Sequence, residues 1–323
     1  MKGIRLAANG GPEVLDLVDL PDPVPGPGQV LVRQTAIGVN YIDTYHRSGL
    51  YPLRLPSGLG MEGAGEVLAA GEGVTRFAPG DRVAFASGPI GAYAELHAVD
   101  AARAVAIPGG VDDRTAAAAL LKGMTAEFLL RRCRPVATGE TILVHAAAGG
   151  VGQIMVQWAK ALGAVVIATA GNAAKAARVR DLGADHVILY GEQEVAVEVR
   201  RITGGAGVPV AYDSVGAATF EGTLASLARR GVFVSFGNAS GPPPAVEPGR
   251  LMRMGSLFFT RPTLGDYVAT TEELDASAAA VFGRIAAGEI SIEIGQTFPL
   301  SQARAAHEAL ESRQTVGSTL LIP

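Results

Sequence analysis

Between Gly139 and Arg261 six apolar runs alternate with segments of helical composition, and nothing else in the chain restricts its fold as much. The runs are 141–145, 165–169, 186–189, 208–212, 232–236 and 256–259. The helical segments among them are 152–162, 173–182, 194–202 and 219–228. Parallel strands need a crossover connection, usually a helix, so this alternation predicts a parallel sheet with helices on both faces. Six strands complete the doubly wound arrangement that binds dinucleotides.

The first of those strands runs into Ala146-Ala147-Ala148-Gly149-Gly150-Val151-Gly152. The spacing Ala146-x-x-Gly149-x-x-Gly152 is a relative of Gly-x-Gly-x-x-Gly. Small residues let the backbone approach a pyrophosphate, and a helix opening at Gly152 offers N–H groups and a partial positive charge. A strand before and a helix after are the context that such a motif needs; a tight turn without a ligand is the plainer alternative. An NAD site usually places an acid at the end of the second strand, on the ribose 2′-hydroxyl. Here the chain reads Thr169-Ala170-Gly171-Asn172-Ala173-Ala174-Lys175, with no carboxylate before Asp181. Lys175 and Arg178 open the next helix and could meet a 2′-phosphate, with solvated helix charges as the alternative. The missing acid favours NADPH.

Upstream the character is different. The Pro- and Gly-rich stretch 21–28 cannot be regular helix or central strand. Short strand candidates at 29–37, 66–70, 81–85 and 93–97 lie between turns and suggest a small barrel-like β domain. Residues 112–132 read as a helix. After Pro262 a helix (271–287), an extended piece (291–298), a helix (301–312) and a strand (318–322) are too short for a third domain and are expected to fold back on the first.

Composition narrows the function. A net charge of −4 argues against a generic electrostatic grip on nucleic acid. No apolar stretch approaches the roughly 20 residues that span a bilayer, and the charged start of the chain lacks the apolar core of a signal peptide. The lone Cys133 can form neither an internal disulfide nor a Cys-based metal cage. A cytoplasmic location fits these absences. Arg131, Arg132 and Arg134 flank Cys133 and could favour its thiolate, but a structural cysteine is the favoured reading.

Gly60-Met61-Glu62-Gly63-Ala64-Gly65 resembles the Gly-His-Glu-x-x-Gly segment of the medium-chain dehydrogenases, with Met61 where the zinc-binding members carry His. Gly38-Val39-Asn40-Tyr41-Ile42-Asp43 matches the segment with their zinc Cys, here Asn40. The four-Cys structural lobe is absent. His46, His97, His145, His186 and His307 show no paired ligand spacing, so no metal site is expected. Further matches run the length of the chain, among them Gly10-Gly11-Pro12-Glu13-Val14-Leu15, Arg47-Ser48-Gly49-Leu50-Tyr51-Pro52, Gln157-Trp158-Ala159-Lys160, Asp213-Ser214-Val215-Gly216, Ser235-Phe236-Gly237-Asn238 and Thr260-Arg261-Pro262. The chain thus resembles the zinc-independent NADPH:quinone oxidoreductases, the zeta-crystallin-like branch of that superfamily.

The resemblance implies an α/β protein in which a Rossmann doubly wound parallel sheet (122–261) is joined to a GroES-like β-barrel domain (1–121 with 262–323), with a cleft between them. It implies NADPH as cofactor, a quinone as substrate, and a homodimer joined through the Rossmann edge strand. Tyr41 and Asp43 would line the cleft at the nicotinamide half, and Thr125 would face the nicotinamide. Gly150 and Val151, between Gly149 and Gly152, would hold the pyrophosphate. Gly171, Lys175 and Tyr190 would take the 2′-phosphate end, and Ser214, Phe236, Gly237, Asn238, Phe259 and Thr260 the rest of the groove. Each aromatic member has core packing as its alternative role. Asn40, Tyr45 and Tyr51 are the candidate catalytic positions, with Met61 also bordering the substrate.

The chemistry is consistent with this. A simple ketone is a poor hydride acceptor without a Lewis acid, whereas quinones and conjugated enones are already electron-poor. The protein then need only hold cofactor and planar acceptor together and exclude water. Asn40 and Tyr45 could donate hydrogen bonds to a quinone oxygen as charge develops. One- and two-electron transfer both stay open, as does the identity of any proton donor. Reduction of an enone or 2-alkenal is the nearest alternative, and a non-catalytic NADPH-binding role, crystallin-like or RNA-binding, is the alternative from another class.

Overall fold

The computed structural model describes all 323 residues and divides them into two compact units, Met1–Met124 with Val268–Pro323, and Thr125–Tyr267. The Asp113–Phe128 helix carries the chain from the first to the second.

In the Thr125–Tyr267 unit six parallel strands lie in the order His186–Leu189, Val165–Ala170, Thr141–Val144, Val208–Asp213, Leu227–Ser235, Phe258–Thr260. Counted along the chain this is 3-2-1-4-5-6, so the order reverses beside Thr141–Val144, where a doubly wound sheet opens its ligand crevice. The crossover helices are Gly150–Ala161, Ala173–Asp181, Val195–Ile202 and Phe220–Ser226. Phe220, on its crossover helix, packs against the strand residues Phe233 and Phe259, with ring centroids 5.0–6.3 Å apart. Several boundaries differ from the sequence reading by a few residues, most clearly after Phe220. The helix expected to reach residue 228 stops at Ser226 because Leu227 is extended and pairs with Val208. The ladder then breaks and resumes at Val210 and Val232, the slack being taken up where Arg230 adopts a φ of 60°. The short Pro248–Arg253 helix, unforeseen in the sequence, opens on the proline that its first turn tolerates.

In the other unit Ile294–Pro299, Ser318–Ile322, Gln29–Val39, Glu62–Ala70, Arg82–Phe85 and Ala104–Ala106 form one sheet, with Leu96–Asp100 also paired to Gln29–Val39. The tail does return to the first region: Thr319 pairs with Val39 and Leu320 with Gly38. Leu300, Ala303, Ala306 and Leu321 then join a core that includes Val30, Val32, Ile37, Val67, Phe85 and Tyr93. The first region is not wholly strand and turn. Tyr41–Ser48 is a helix, closed by Gly49 in the left-handed region at φ 85°.

Candidate functional site

The Tyr41–Ser48 helix holds most of the candidate residues of its unit. It begins where Gln29–Val39 leaves the sheet, and Asn40 and Asp43 fix its start reciprocally. The Asn40 N–H donates to Asp43 Oδ2 at 2.8 Å, and the Asp43 N–H donates to the Asn40 carbonyl at 3.0 Å. Asn-x-x-Asp followed by Gly49 was the available signal for this helix. One helical turn separates Tyr41 from Tyr45, and their ring centroids lie 5.8 Å apart. Tyr51 folds back, its N–H donating to the Tyr45 carbonyl at 3.0 Å, and sets its ring edge-on to Tyr45 at 5.2 Å. Tyr41, Tyr45 and Tyr51 thus make one aromatic cluster.

Beneath it lies a polar network that the sequence reading missed. Asn40 Nδ2 donates to Glu62 Oε2 at 2.8 Å, Lys122 Nζ reaches the same oxygen at 3.1 Å, and the Leu121 N–H reaches Glu62 Oε1 at 2.7 Å. Glu62 is wholly buried. Asp43, equally buried, also accepts from the Tyr93 hydroxyl at 2.9 Å, while its Oδ1 has no hydrogen-bond partner. Burial pushes the Asp43 carboxyl up to about 7, against the Asn40 and Tyr93 donors and the charge of Lys122, which favour ionisation. The positions matched to zinc ligands carry Asn40 and Met61, and no cluster of His, Cys, Asp and Glu is arranged to hold a metal.

In the Thr125–Tyr267 unit the candidate residues gather at the C-terminal ends of the strands. Thr125 lies apart on the Asp113–Phe128 helix. Gly149 is the N-cap of Gly150–Ala161 and has no side chain to satisfy the first-turn N–H groups, which leaves that terminus to an anion. A Cβ on Gly152 would lie 2.5 Å from the Ala146 carbonyl oxygen and 2.6 Å from Ala147 Cα, so the tight turn demands glycine there. On the neighbouring strand, Asn172 caps Ala173–Asp181 by accepting the Lys175 N–H at 2.9 Å. Lys175 is half-buried, and burial lowers its ammonium pKa. The Tyr190 hydroxyl stands 2.5 Å from where a Gly171 Cβ would be, so Gly171 and Tyr190 form one surface. Ser214 and Gly237 are in backbone contact, and the Ala239 N–H donates to the Ser214 carbonyl at 3.3 Å. This brings Ser214, Phe236, Gly237 and Asn238 together. Phe259 pairs with Phe233 and Thr260 with Val234 on the edge strand. This donor set fits a dinucleotide: a bare helix N-terminus, a cradle without side chains, and a lysine in place of the acid.

Three strand ends are tied together by residues that the sequence did not single out. Thr223 Oγ1 lies 2.8 Å from Asp213 Oδ2 and 2.9 Å from His145 Nε2, and Thr169 Oγ1 lies 3.3 Å from His145 Nδ1. The Ala146 N–H also donates to Thr169 Oγ1 at 3.2 Å. Asp213 Oδ1 accepts from the Val215 and Gly216 N–H groups. Burial holds His145 below the usual imidazole range, so it packs as a neutral link. Cys133 is no activated thiolate: Arg131 and Arg132 pair with Glu127, Arg134 pairs with Glu140, and burial pushes the thiol up.

Two outcomes follow from this geometry. Gly152→Ala forces the turn open and is expected to weaken NADPH binding about tenfold or more, read by fluorescence titration; unchanged affinity would show that the cofactor does not use this turn. The Asp43 carboxyl, raised from 3.8 to about 7, keeps its proton in the folded state at pH values where the unfolded chain has released it. Stability therefore falls as pH rises through that window and levels off above it. In Asp43→Asn that share of the decline should vanish from a plot of urea midpoint against pH, whereas superimposable slopes would remove Asp43 as its source.

Comparison with known proteins agrees with both halves. Residues 26–109 match the alcohol dehydrogenase GroES-like domain family, and residues 150–280 match the zinc-binding dehydrogenase family. The chain is 54% identical to a quinone oxidoreductase of Pseudomonas aeruginosa, over 100% of this chain and 99% of the relative. It is 43% identical to a 2-haloacrylate reductase of a Burkholderia species, over 97% of this chain and 96% of the relative. A crystal structure of Escherichia coli quinone oxidoreductase complexed with NADPH superimposes with a TM-score of 0.99 at 47% identity, over 100% of both chains. With full-length matches at this level, the chain belongs to the quinone oxidoreductase family of the medium-chain dehydrogenase/reductase superfamily.

Proposed function

We propose that the chain is an NADPH-dependent quinone reductase that works without a catalytic metal. The observation that carries this is the joint occurrence of a tyrosine cluster with Asn40 and Met61 at the zinc-matched positions. NADPH, when bound, supplies the reducing equivalents. The chain's own residues do the remainder. Gly149 to Gly152 take the pyrophosphate on the helix terminus, Lys175 and Tyr190 take the 2′-phosphate beside Gly171, and Ser214 with Phe236, Gly237, Asn238, Phe259 and Thr260 line the groove. Thr125 faces the nicotinamide end. Tyr41, Tyr45 and Tyr51 offer an apolar face to a planar acceptor and shield it from water. Tyr45 donates to an acceptor oxygen where charge develops, while Asn40, expected as a second donor, has its amide committed to Glu62 and Gly38 and acts with Asp43 behind Tyr45 by holding the start of the helix.

Enone reduction is the second reading, favoured by the 2-haloacrylate reductase among the relatives. Against an anionic acceptor in this unit, Arg47 and Lys122 are each held by a carboxylate, Glu311 and Glu62. The test is NADPH oxidation with 1,2-naphthoquinone, a p-benzoquinone, a 2-alkenal and 2-chloroacrylate, with and without chelator. Turnover with quinones, indifferent to chelator, is expected; turnover confined to the alkenal or chloroacrylate transfers the assignment to C=C reduction. Lys175→Ala should lower kcat/KM for NADPH about tenfold and leave NADH almost unaffected, because the lost charge-assisted hydrogen bond serves only the 2′-phosphate. Equal losses with both cofactors would reject Lys175 as the discriminating group.

No helix is long and apolar enough to cross a membrane, and the single cysteine suits the cytoplasm as the working compartment. A second copy of the chain is the proposed partner at the edge strand Phe258–Thr260, where Phe258 is 59% exposed. Phe258→Arg should shift sedimentation from dimer towards monomer; a monomeric unaltered protein would end this proposal.

A further inference from the structure

The Tyr41–Ser48 helix is held at its far end as firmly as at its start. Arg47 is buried, and its guanidinium donates to Glu311 through Nη1 at 3.0 Å and Nη2 at 2.7 Å, and to the Gly10 carbonyl through Nε at 3.2 Å. Nη1 also lies 3.0 Å from His307 Nδ1. His307, on the Ala303–Glu311 helix, has no exposed surface. Its Nε2 lies 3.0 Å from the Tyr93 hydroxyl, and the two rings meet edge to face at 5.7 Å. The Tyr93 hydroxyl lies 2.9 Å from Asp43 Oδ2, which also accepts the Asn40 N–H. A continuous path of hydrogen bonds therefore runs from one end of the helix to the other through the C-terminal helix.

The protons of His307 and Tyr93 are fixed by their neighbours. A guanidinium has donors only, so His307 Nδ1 must accept from Arg47. The imidazole proton then sits on Nε2 and is donated to the Tyr93 oxygen. Tyr93 has one proton, and it goes to Asp43 Oδ2. Burial and the Arg47 charge agree with this arrangement, pushing His307 down to about 3, so that the ring is neutral. A reversed tautomer would set an N–H of His307 against an N–H of Arg47 and leave two buried donors facing each other.

We infer that His307, locked by Arg47 as the Nε2–H tautomer, is a positioning residue for the aromatic acceptor face on Tyr41–Ser48, acting through Tyr93 and Asp43. This rests on the reading that a planar acceptor packs against Tyr41, Tyr45 and Tyr51. His307 touches neither acceptor nor cofactor. It sets the direction of the hydrogen bonds that hold the start of the helix, and Arg47 sets its own, so loss of the link loosens the aromatic face and leaves the dinucleotide turn alone.

Two measurements test it, the first without any activity. In the full-length protein labelled with nitrogen-15 at histidine, His307 should show the Nε2–H pattern unchanged from pH 8 to pH 5. An Nδ1–H pattern, or titration near the ordinary imidazole pKa, would overturn the inference whatever the substrate proves to be. The second compares His307→Leu with His307→Gln, whose amide can accept from Arg47 and donate to Tyr93. His307→Leu should raise KM for 1,2-naphthoquinone about tenfold with NADPH affinity unchanged, and His307→Gln should recover most of that loss. Equal KM in all three proteins, or parallel loss of quinone and NADPH affinity, would overturn it. If His307→Leu does not fold, Tyr93→Phe, which removes one hydroxyl, should give the same selective rise in KM, and an unchanged KM there would be decisive against the path. Absence of quinone turnover in the unaltered protein would sink the functional reading and leave the tautomer measurement standing.

Discussion

The carboxylate of Glu62 is the interaction on which the acceptor-side unit depends. It lies wholly inside the protein and accepts from three groups on two other segments: the Asn40 amide, the Lys122 ammonium and the Leu121 N–H. A buried carboxylate is tolerable only when paired and hydrogen-bonded, and removal of one partner from such a pair typically costs about 3–5 kcal/mol. Satisfying it obliges the Asp113–Phe128 helix to approach the strand that ends at Val39. That approach explains Gly38, which pairs with Glu62 across the sheet. Any side chain at Gly38 would strike both Glu62 Oε2 and the Ala117 carbonyl oxygen. Strand, helix and Asn40 are thereby fixed by one charge.

The second unit repeats the device with Asp213. Its carboxylate, also buried, takes the Val215 and Gly216 N–H groups on one oxygen and the Thr219 and Thr223 hydroxyls on the other. Thr223 lies beside His145 and His145 beside Thr169, so the ends of three parallel strands are joined at the place where the strand order reverses. Ala146, the first residue of the dinucleotide turn, holds a φ of 49° and is anchored to Thr169 through its N–H. A strained turn of that kind persists only where its surroundings over-determine it. In both units, then, the residues proposed to meet ligand are, apart from Lys175, small, amide or aromatic, and buried charged groups behind them fix their placement.

This division explains what could be read from the sequence. The Rossmann half was legible because its information is local: apolar runs of strand length, helices between them, and a glycine turn at the first junction. Gly149, Gly152, Gly171 and Lys175 could be proposed as dinucleotide residues for the same reason, each lying within a few residues of a strand end. The Tyr41–Ser48 helix went unread although Asn40, Asp43 and Gly49 announce it, because eight residues in a Gly- and Pro-rich β region carry little periodicity. Glu62, Lys122, Tyr93 and His307 could not be read at all. Their partners lie 60 residues apart for Lys122 and Glu62, and 214 for Tyr93 and His307, and only the three-dimensional fold supplies such neighbours. His307 in particular looks like an ordinary histidine on an amphipathic helix until Arg47 is seen beside it.

The same network bears on why the acceptor side favours a neutral, planar molecule. With Asn40 and Met61 at the positions that carry Cys and His in zinc-type relatives, the carboxylate of Glu62 has no cation to answer except Lys122, and the pair closes on itself. Arg47 is likewise matched by Glu311. Asp43 is held near the midpoint of its titration at neutral pH by burial against its two donors. Arg47, Glu62 and Lys122 are therefore each answered within about one hydrogen bond of where the charge arises, whereas the Arg313 guanidinium reaches the tyrosine cluster itself through a hydrogen bond to Tyr41. An anionic acceptor would give up its hydration and receive nothing from Arg47 or Lys122 in return. On the proposed reading a quinone would give up little hydration and find aromatic surface for its ring and a phenol donor for its oxygen. Discrimination of this kind arises from charges being neutralised before the ligand arrives, so loss of Lys122 or Glu311 should alter acceptor choice as well as stability, by freeing a charge that the fold had kept occupied.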